Sequence, residues 1–203
     1  MIMKKKKIEI SLLCNSLVIK DAVGTIQDYY KKNPQFYIYD FPIEHTGSNC
    51  NKYKILLGKA SVLRLQKVGS NYWVEIEAFF NQRKNHLTLE ETLGYICEKN
   101  NYTAKTKVFH QWFPNDIPLI DKNIEEAVKG TPCYQQYFND KKGKIAEQRA
   151  IINIILCDVE KNRKILEKVC NSINKLEKVK ITPLRAWDIL VWSLLPPKNK
   201  KTR

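Results

Sequence analysis

Across residues 35–80 the apolar and polar positions alternate in the manner of β-strands. "QFYIYDF" (35–41) is rich in aromatics, as strands are. "PIEHTGSNCN" (42–51) has loop composition. "KYKILLGKASVLRLQKV" (52–68) reads as a long strand bent at Gly58. After a "GSN" turn, "YWVEIEAFF" (72–80) returns as its hairpin partner. "KIEISLLCN" (7–15) and "TAKTKVFHQWF" (103–113) complete a predicted sheet.

Helical spacing takes over elsewhere. Val23, Ile26 and Tyr30 share a face over 20–33, which Pro34 ends. Thr88 with Glu91 forms a capping-box pattern before a helix over 88–100. A short helix within 116–130 stops at Gly130. The segment 143–179 carries a stripe of Ile152, Ile155, Val159, Asn162, Leu166, Val169, Ile173 and Leu176, spaced alternately by three and four. That period suits a dimer seam with Asn162 setting register. Ile151, Ile154, Leu156 and Ile165 widen the stripe, which favours packing within the chain. The expected partner is a final helix, 182–195, with Thr182 as N-cap, Pro183 at its first position, and Leu184, Trp187, Val191 and Leu194 facing inward.

Charge changes the picture. The chain of 203 residues carries a net +14, and its pI is near 9.4. From His45 to Val74 there is no Asp or Glu, yet Lys52, Lys54, Lys59, Arg64 and Lys67 fall there. A second acid-free stretch, Lys99–Asn115, holds Lys105, Lys107, His110 and Trp112. Cations interleaved with aromatics suit nucleic acid, since lysines neutralise phosphates and rings stack on bases. The simpler reading is a solvated, Lys-rich strand face. DNA or RNA is the expected partner, with Lys52, Lys54, Lys59, Arg64, Lys67, Trp73, Arg83, Lys84, Lys105, Lys107, His110 and Trp112 as its contacts. Trp73 and Trp112 either line a base pocket or pack the sheet against the C-terminal helices.

Glu75 and Glu77 fall on one face of the predicted strand and suggest a metal-dependent, restriction-type nuclease. The nearest upstream acids, Asp40 and Glu44, lie behind the acid-free segment, and Phe79 stands where a catalytic Lys is needed. Two solvent-facing glutamates paired with Lys59 or Arg64 are the favoured reading. No catalytic residue, metal site or cofactor is therefore expected. The six cysteines and three histidines lack zinc-site spacing, and no nucleotide-loop or hydrolase motif is present. Without a signal-peptide pattern or a membrane-length apolar run, the expected compartment is the cytoplasm, or the nucleus in a eukaryote, with the thiols reduced.

The order "FYIYDF…YKILLGKASVLRL…NYWVEIEAFF…LTLEETLG…VFHQWFPNDIPLIDKNIEEAV" resembles a PUA-like barrel of the EVE, YTH and ASCH kind, over roughly residues 8–130. Gly58-Lys59-Ala60-Ser61-Val62, Trp73-Val74-Glu75-Ile76-Glu77 and Leu87-Thr88-Leu89-Glu90-Glu91 carry the resemblance. It implies a mixed β-barrel over 1–130; with the helical pattern and basic tail read over 131–203, the expected fold is α+β. It also implies nucleic-acid binding with a flipped or modified base read in a pocket. An oligomeric structural or regulatory protein that binds an acidic partner is the alternative from another class.

Overall fold

The computed structural model describes residues 19–40, 70–83, 87–98, 101–138, 143–177 and 179–195. Every regular element among them is a helix, and no strand occurs there. The β-barrel expectation, and with it the PUA-like reading, is therefore overturned. The elements are α1 (Ile19–Lys32), α2 (Gln35–Asp40), α3 (Ser70–Arg83), α4 (Leu89–Glu98) and α5 (Tyr102–Phe109). There follow α6 (Lys122–Lys129), α7 (Pro132–Phe138), α8 (Lys144–Lys161), α9 (Arg163–Leu176) and α10 (Pro183–Leu194). The predicted strands at 7–15 and 52–68 lie outside the described residues.

Three expected strands are helices, two of them for one reason. Alternation makes "YWVEIEAFF" look like a strand, but Ile76, Phe79 and Phe80 are also spaced i, i+3, i+4. Those three are buried, while Val74, which alternation places in the core, is 63% exposed. Within 103–113, Ala104, Lys105, Val108 and Phe109 are buried and form one helical face. "QFYIYD" forms the short α2 between Pro34 and the buried Asp40.

Helix α10 is the axis of the bundle. Thr182 caps it, its hydroxyl accepting from the Arg185 N–H, and Pro183 occupies the first turn. All eight residues from Leu184 to Val191 are buried. Helices α1, α6, α8 and α9 pack around it. The Trp187 indole donates to Asp158 at 2.7 Å and ties α10 to α8. One continuous apolar cluster runs from Ala22 in α1 to Val191 in α10. Helix α1 rests on α9 and α10, so helices from both sides of residue 130 share that core. Within the same cluster a group of rings gathers: Phe80 lies 5.3 Å from Phe109 and 4.6 Å from Trp112, and Phe79 stacks on Tyr95 at 4.0 Å.

The long helix expected over 143–179 is two helices, broken at Asn162. Its side-chain amide donates to the Asp158 carbonyl at 2.8 Å, so the residue proposed to set dimer register instead closes one helix. Ile152, Ile155, Val159, Leu166, Val169 and Ile173 are all buried in the chain's own core. Only Leu176, 62% exposed, leaves the stripe. Replacing Ile173 by Ala should cost about 2–5 kcal/mol in denaturant unfolding, with a midpoint independent of protein concentration. A midpoint that rises with concentration would mean the stripe is an intermolecular seam.

Candidate functional site

Two charged residues interrupt the apolar sequence of α10, Arg185 and Asp188, and both are buried. A fully buried guanidinium must have its donors satisfied. Arg185 Nε and Nη2 grip both oxygens of Asp40 at 2.8 and 2.9 Å, a bidentate fork. Its Nη1 donates to Asp188, one turn along α10. Nη2 also donates to the Tyr29 hydroxyl at 3.3 Å, and Tyr30 donates to Asp40 at 2.8 Å. This cluster joins α1, α2 and α10.

One cation between two carboxylates leaves an excess of negative charge. Burial pushes the Asp188 carboxyl up to about 7, against the pull of Arg185 and with the added push of Asp121. Burial likewise raises the Tyr29 phenol to about 12. Asp188 can therefore exchange a proton near neutrality.

Above the cluster opens a cleft of about 400 Å³. Tyr29 and Phe36 form one wall, with centroids 5.3 Å apart. Trp192 stands edge-on to Tyr29 at 5.8 Å and is 41% exposed at the rim. Arg185 and Asp188 form the charged floor, and Lys107 and Asp121 complete the opposite side. Asp121 is held in place as the N-cap of α6, accepting from the Asn123 and Ile124 amides at 2.8 and 2.9 Å.

The expected nucleic-acid contacts are scattered by this fold. Lys52, Lys54, Lys59, Arg64, Lys67 and Lys84 lie outside the described residues. Trp73 lies in α3. Arg83 ends α3, with its guanidinium 4.0 Å over Phe79 and 3.8 Å from Glu91. Lys105 is fully buried; its ammonium donates to the Tyr95 carbonyl at 2.9 Å and sits 4.3 Å from the Tyr95 ring. His110 is buried too, with Nδ1 2.6 Å from the Ile117 carbonyl. A carbonyl only accepts, so Nδ1 carries the proton. Trp112 packs on Phe80, and Lys107 alone of the group reaches the cleft. The shared basic strand face expected of Lys105 and Lys107 is thus replaced by one buried and one half-buried position on α5.

Glu75 and Glu77 also part company. Two residues along a helix is about 200° of rotation, so a shared strand face becomes two directions. Glu75 lines a groove between α3 and α4 with Glu91 and Glu98, over Phe79 and Tyr95. Among the described residues no group of three His, Cys, Asp or Glu side chains could hold a metal ion. Of the cysteines described, Cys97 and Cys170 are buried, Cys133 is half-buried and Cys157 exposed, all as free thiols. No helix among the described residues is long and apolar enough to cross a membrane.

Sequence reading weighed Asp40 only as an upstream acid for Glu75 and Glu77, and passed over Arg185 and Asp188. The signal was present in "LRAWDILVW", where Arg and Asp stand three apart on a helix otherwise built for the core. By fold the chain is an all-helical bundle around a buried charge cluster, as far as it is described. Comparison with protein-family models, curated proteins and solved structures finds no match.

Removing the guanidinium by Arg185→Met should cost about 3–5 kcal/mol, because Asp40 is left buried and uncompensated. Arg185→Met with Asp40→Asn should recover part of that loss in the same denaturant titration.

His110 and Asp188 should shape stability against pH in opposite senses. Burial holds the His110 imidazole down to about 4, below its ordinary 6.5. Between those values the unfolded chain binds the proton and the folded chain does not, so stability falls as pH drops from 6.5 to 4, by about 3 kcal/mol. For Asp188 the folded chain keeps the proton between the ordinary 3.8 and about 7, so stability falls as pH rises across that window. Thermal melts from pH 4 to 7.5 should show a flatter acid limb for His110→Gln. They should also show the alkaline-side decline removed in Asp188→Asn.

Proposed function

We propose that this protein binds nucleic acid through basic segments carried by an electrically neutral helical body. The supporting observation is the partition of charge. The described residues hold 17 Lys and Arg against 18 Asp and Glu, while the rest of the chain holds 18 against 3. The whole excess of positive charge therefore belongs to segments outside the described helices. Residues 1–18, 41–69 and 196–203 are the most basic of these, and the acid-free run with Lys52, Lys54, Lys59, Arg64 and Lys67 is among them. Within the helical body many cations are already engaged. Lys105 and Arg185 are buried, Lys129 bridges Glu125 and Glu147 at 2.6 and 2.8 Å, and Arg163 pairs with Glu160 at 2.6 Å. A polyanion meeting this molecule finds most of its attraction in the basic segments. The nuclease alternative has less behind it, since Glu75 and Glu77 diverge on α3.

Affinity for short single-stranded DNA or RNA should fall steeply as salt rises from about 50 to 200 mM. Charge removal at Lys52, Lys54, Lys59, Arg64 and Lys67 together should reduce the salt slope by about three to four. Charge removal at Lys31, Lys164, Lys168 and Lys175 of the helical body should change it far less. Affinity that stays flat with salt, or a slope governed by the second set, would overturn the reading.

A further inference from the structure

The geometry points to the cleft over Arg185 as a binding site for a nucleobase ring, held between the aromatic wall and rim and hydrogen-bonded to the charged floor. Its size is the first argument. At about 400 Å³ it lies at the small end of ligand pockets, which run from about 300 to 1,000 Å³. That suits a base with its sugar rather than a larger cofactor.

The second argument is the kind of surface presented. Phe36 is half-buried and offers part of a flat apolar face, Tyr29 is buried behind it with centroids 5.3 Å apart, and Trp192 stands nearly perpendicular to Tyr29, with an interplanar angle of 81°. A planar ligand entering beside Trp192 meets ring faces or edges on two sides, and base–aromatic stacking is worth a large factor in affinity. Trp192 is exposed in a helix whose other large aromatic, Trp187, is wholly buried. An indole left at the rim of a cavity is a surface for a ligand to cover.

The third argument is charge. Asp121 and Asp188 bring acceptors, Lys107 brings donors, and the opposing charges nearly cancel. A free anion meets the carboxylates, and a simple cation meets Lys107 and Arg185. A neutral ring with donors and acceptors along one edge matches all of them. Asp121 and Asp188 are also fixed in place, one by its helix-capping bonds and the other by Arg185. The cleft therefore needs little ordering on binding.

This site deepens the nucleic-acid reading, and the ring could come from a bound strand or from a free nucleoside. Calorimetric titration of the full chain with guanosine, cytidine, adenosine and uridine tests it without phosphate. At least one should bind saturably at a single site. Trp192→Ala and Asp188→Asn, with helicity and melting checked by circular dichroism, should each weaken that binding tenfold or more. Trp192 sits at the rim, so its truncation keeps the test open should Asp188→Asn disturb the fold.

A strand with abasic positions separates the two sources. If a strand supplies the ring, the abasic strand binds more weakly than its intact counterpart, and saturating nucleoside weakens the intact one. If the ring is free, nucleoside binds and strand affinity is unchanged. Failure of all four nucleosides to saturate, or equal binding by both variants, overturns the cleft as a base site. Salt-dependent strand binding alongside that failure leaves the nucleic-acid reading standing. Nucleoside binding without strand affinity removes that reading alone.

Discussion

A guanidinium at the centre of a helical bundle must be matched on every side, and the described fold is arranged around that requirement. Arg185 is committed to Asp40 through both carboxylate oxygens, to Asp188 and to Tyr29. Asp40 lies at the end of α2, 145 residues away in sequence, so the chain closes on itself at this point. Buried ion pairs add little net stability compared with apolar packing, but breaking one is costly. The cluster therefore acts chiefly as a constraint. An arrangement that packs α10 without delivering α1 and α2 to it leaves a bare charge in the core.

The same cluster lines the cleft. The Arg185 and Asp188 heads are buried, and Lys107, Asp121 and Trp192 line the space with them. A pair of ordered carboxylates beside flat rings is present before any ligand arrives. On the proposed reading, the basic segments supply long-range attraction that salt screens, and the cleft supplies short-range selection that salt affects little.

The legible parts of the sequence were those where several local signals agreed. Helix α10 has its cap, its proline and its apolar run all pointing one way, and α1 ends at Pro34 as its spacing requires. The misread parts were short aromatic runs, where alternation and helical spacing fit the same residues. In α3 the exposed Val74 separates the two patterns, and only the packing of Phe79 and Phe80 on Phe109 decides between them. In α5 the obstacle was Lys105. A lysine reads as solvent-facing, yet here the ammonium reaches the Tyr95 carbonyl and ring and its stem fills the core. Asn162 misled in the same way. As a polar residue in an apolar stripe it fits a register device as well as a helix end, and only its bond to the Asp158 carbonyl distinguishes them.

These cases share a physical origin. A charged or polar side chain in an apolar pattern is ambiguous until its partner is known, and the partner is often distant in sequence. Tyr95 is ten residues from Lys105, but Asp40 is 145 from Arg185. Local periodicity cannot report such a pairing. It can report the anomaly, a charge where the pattern calls for an apolar residue. Lys105 and Arg185 are both such anomalies, and both are fully engaged in the core. The sequence-derived interface counted Lys105 among its contacts and took no account of Arg185, whereas the fold holds both cations in the core.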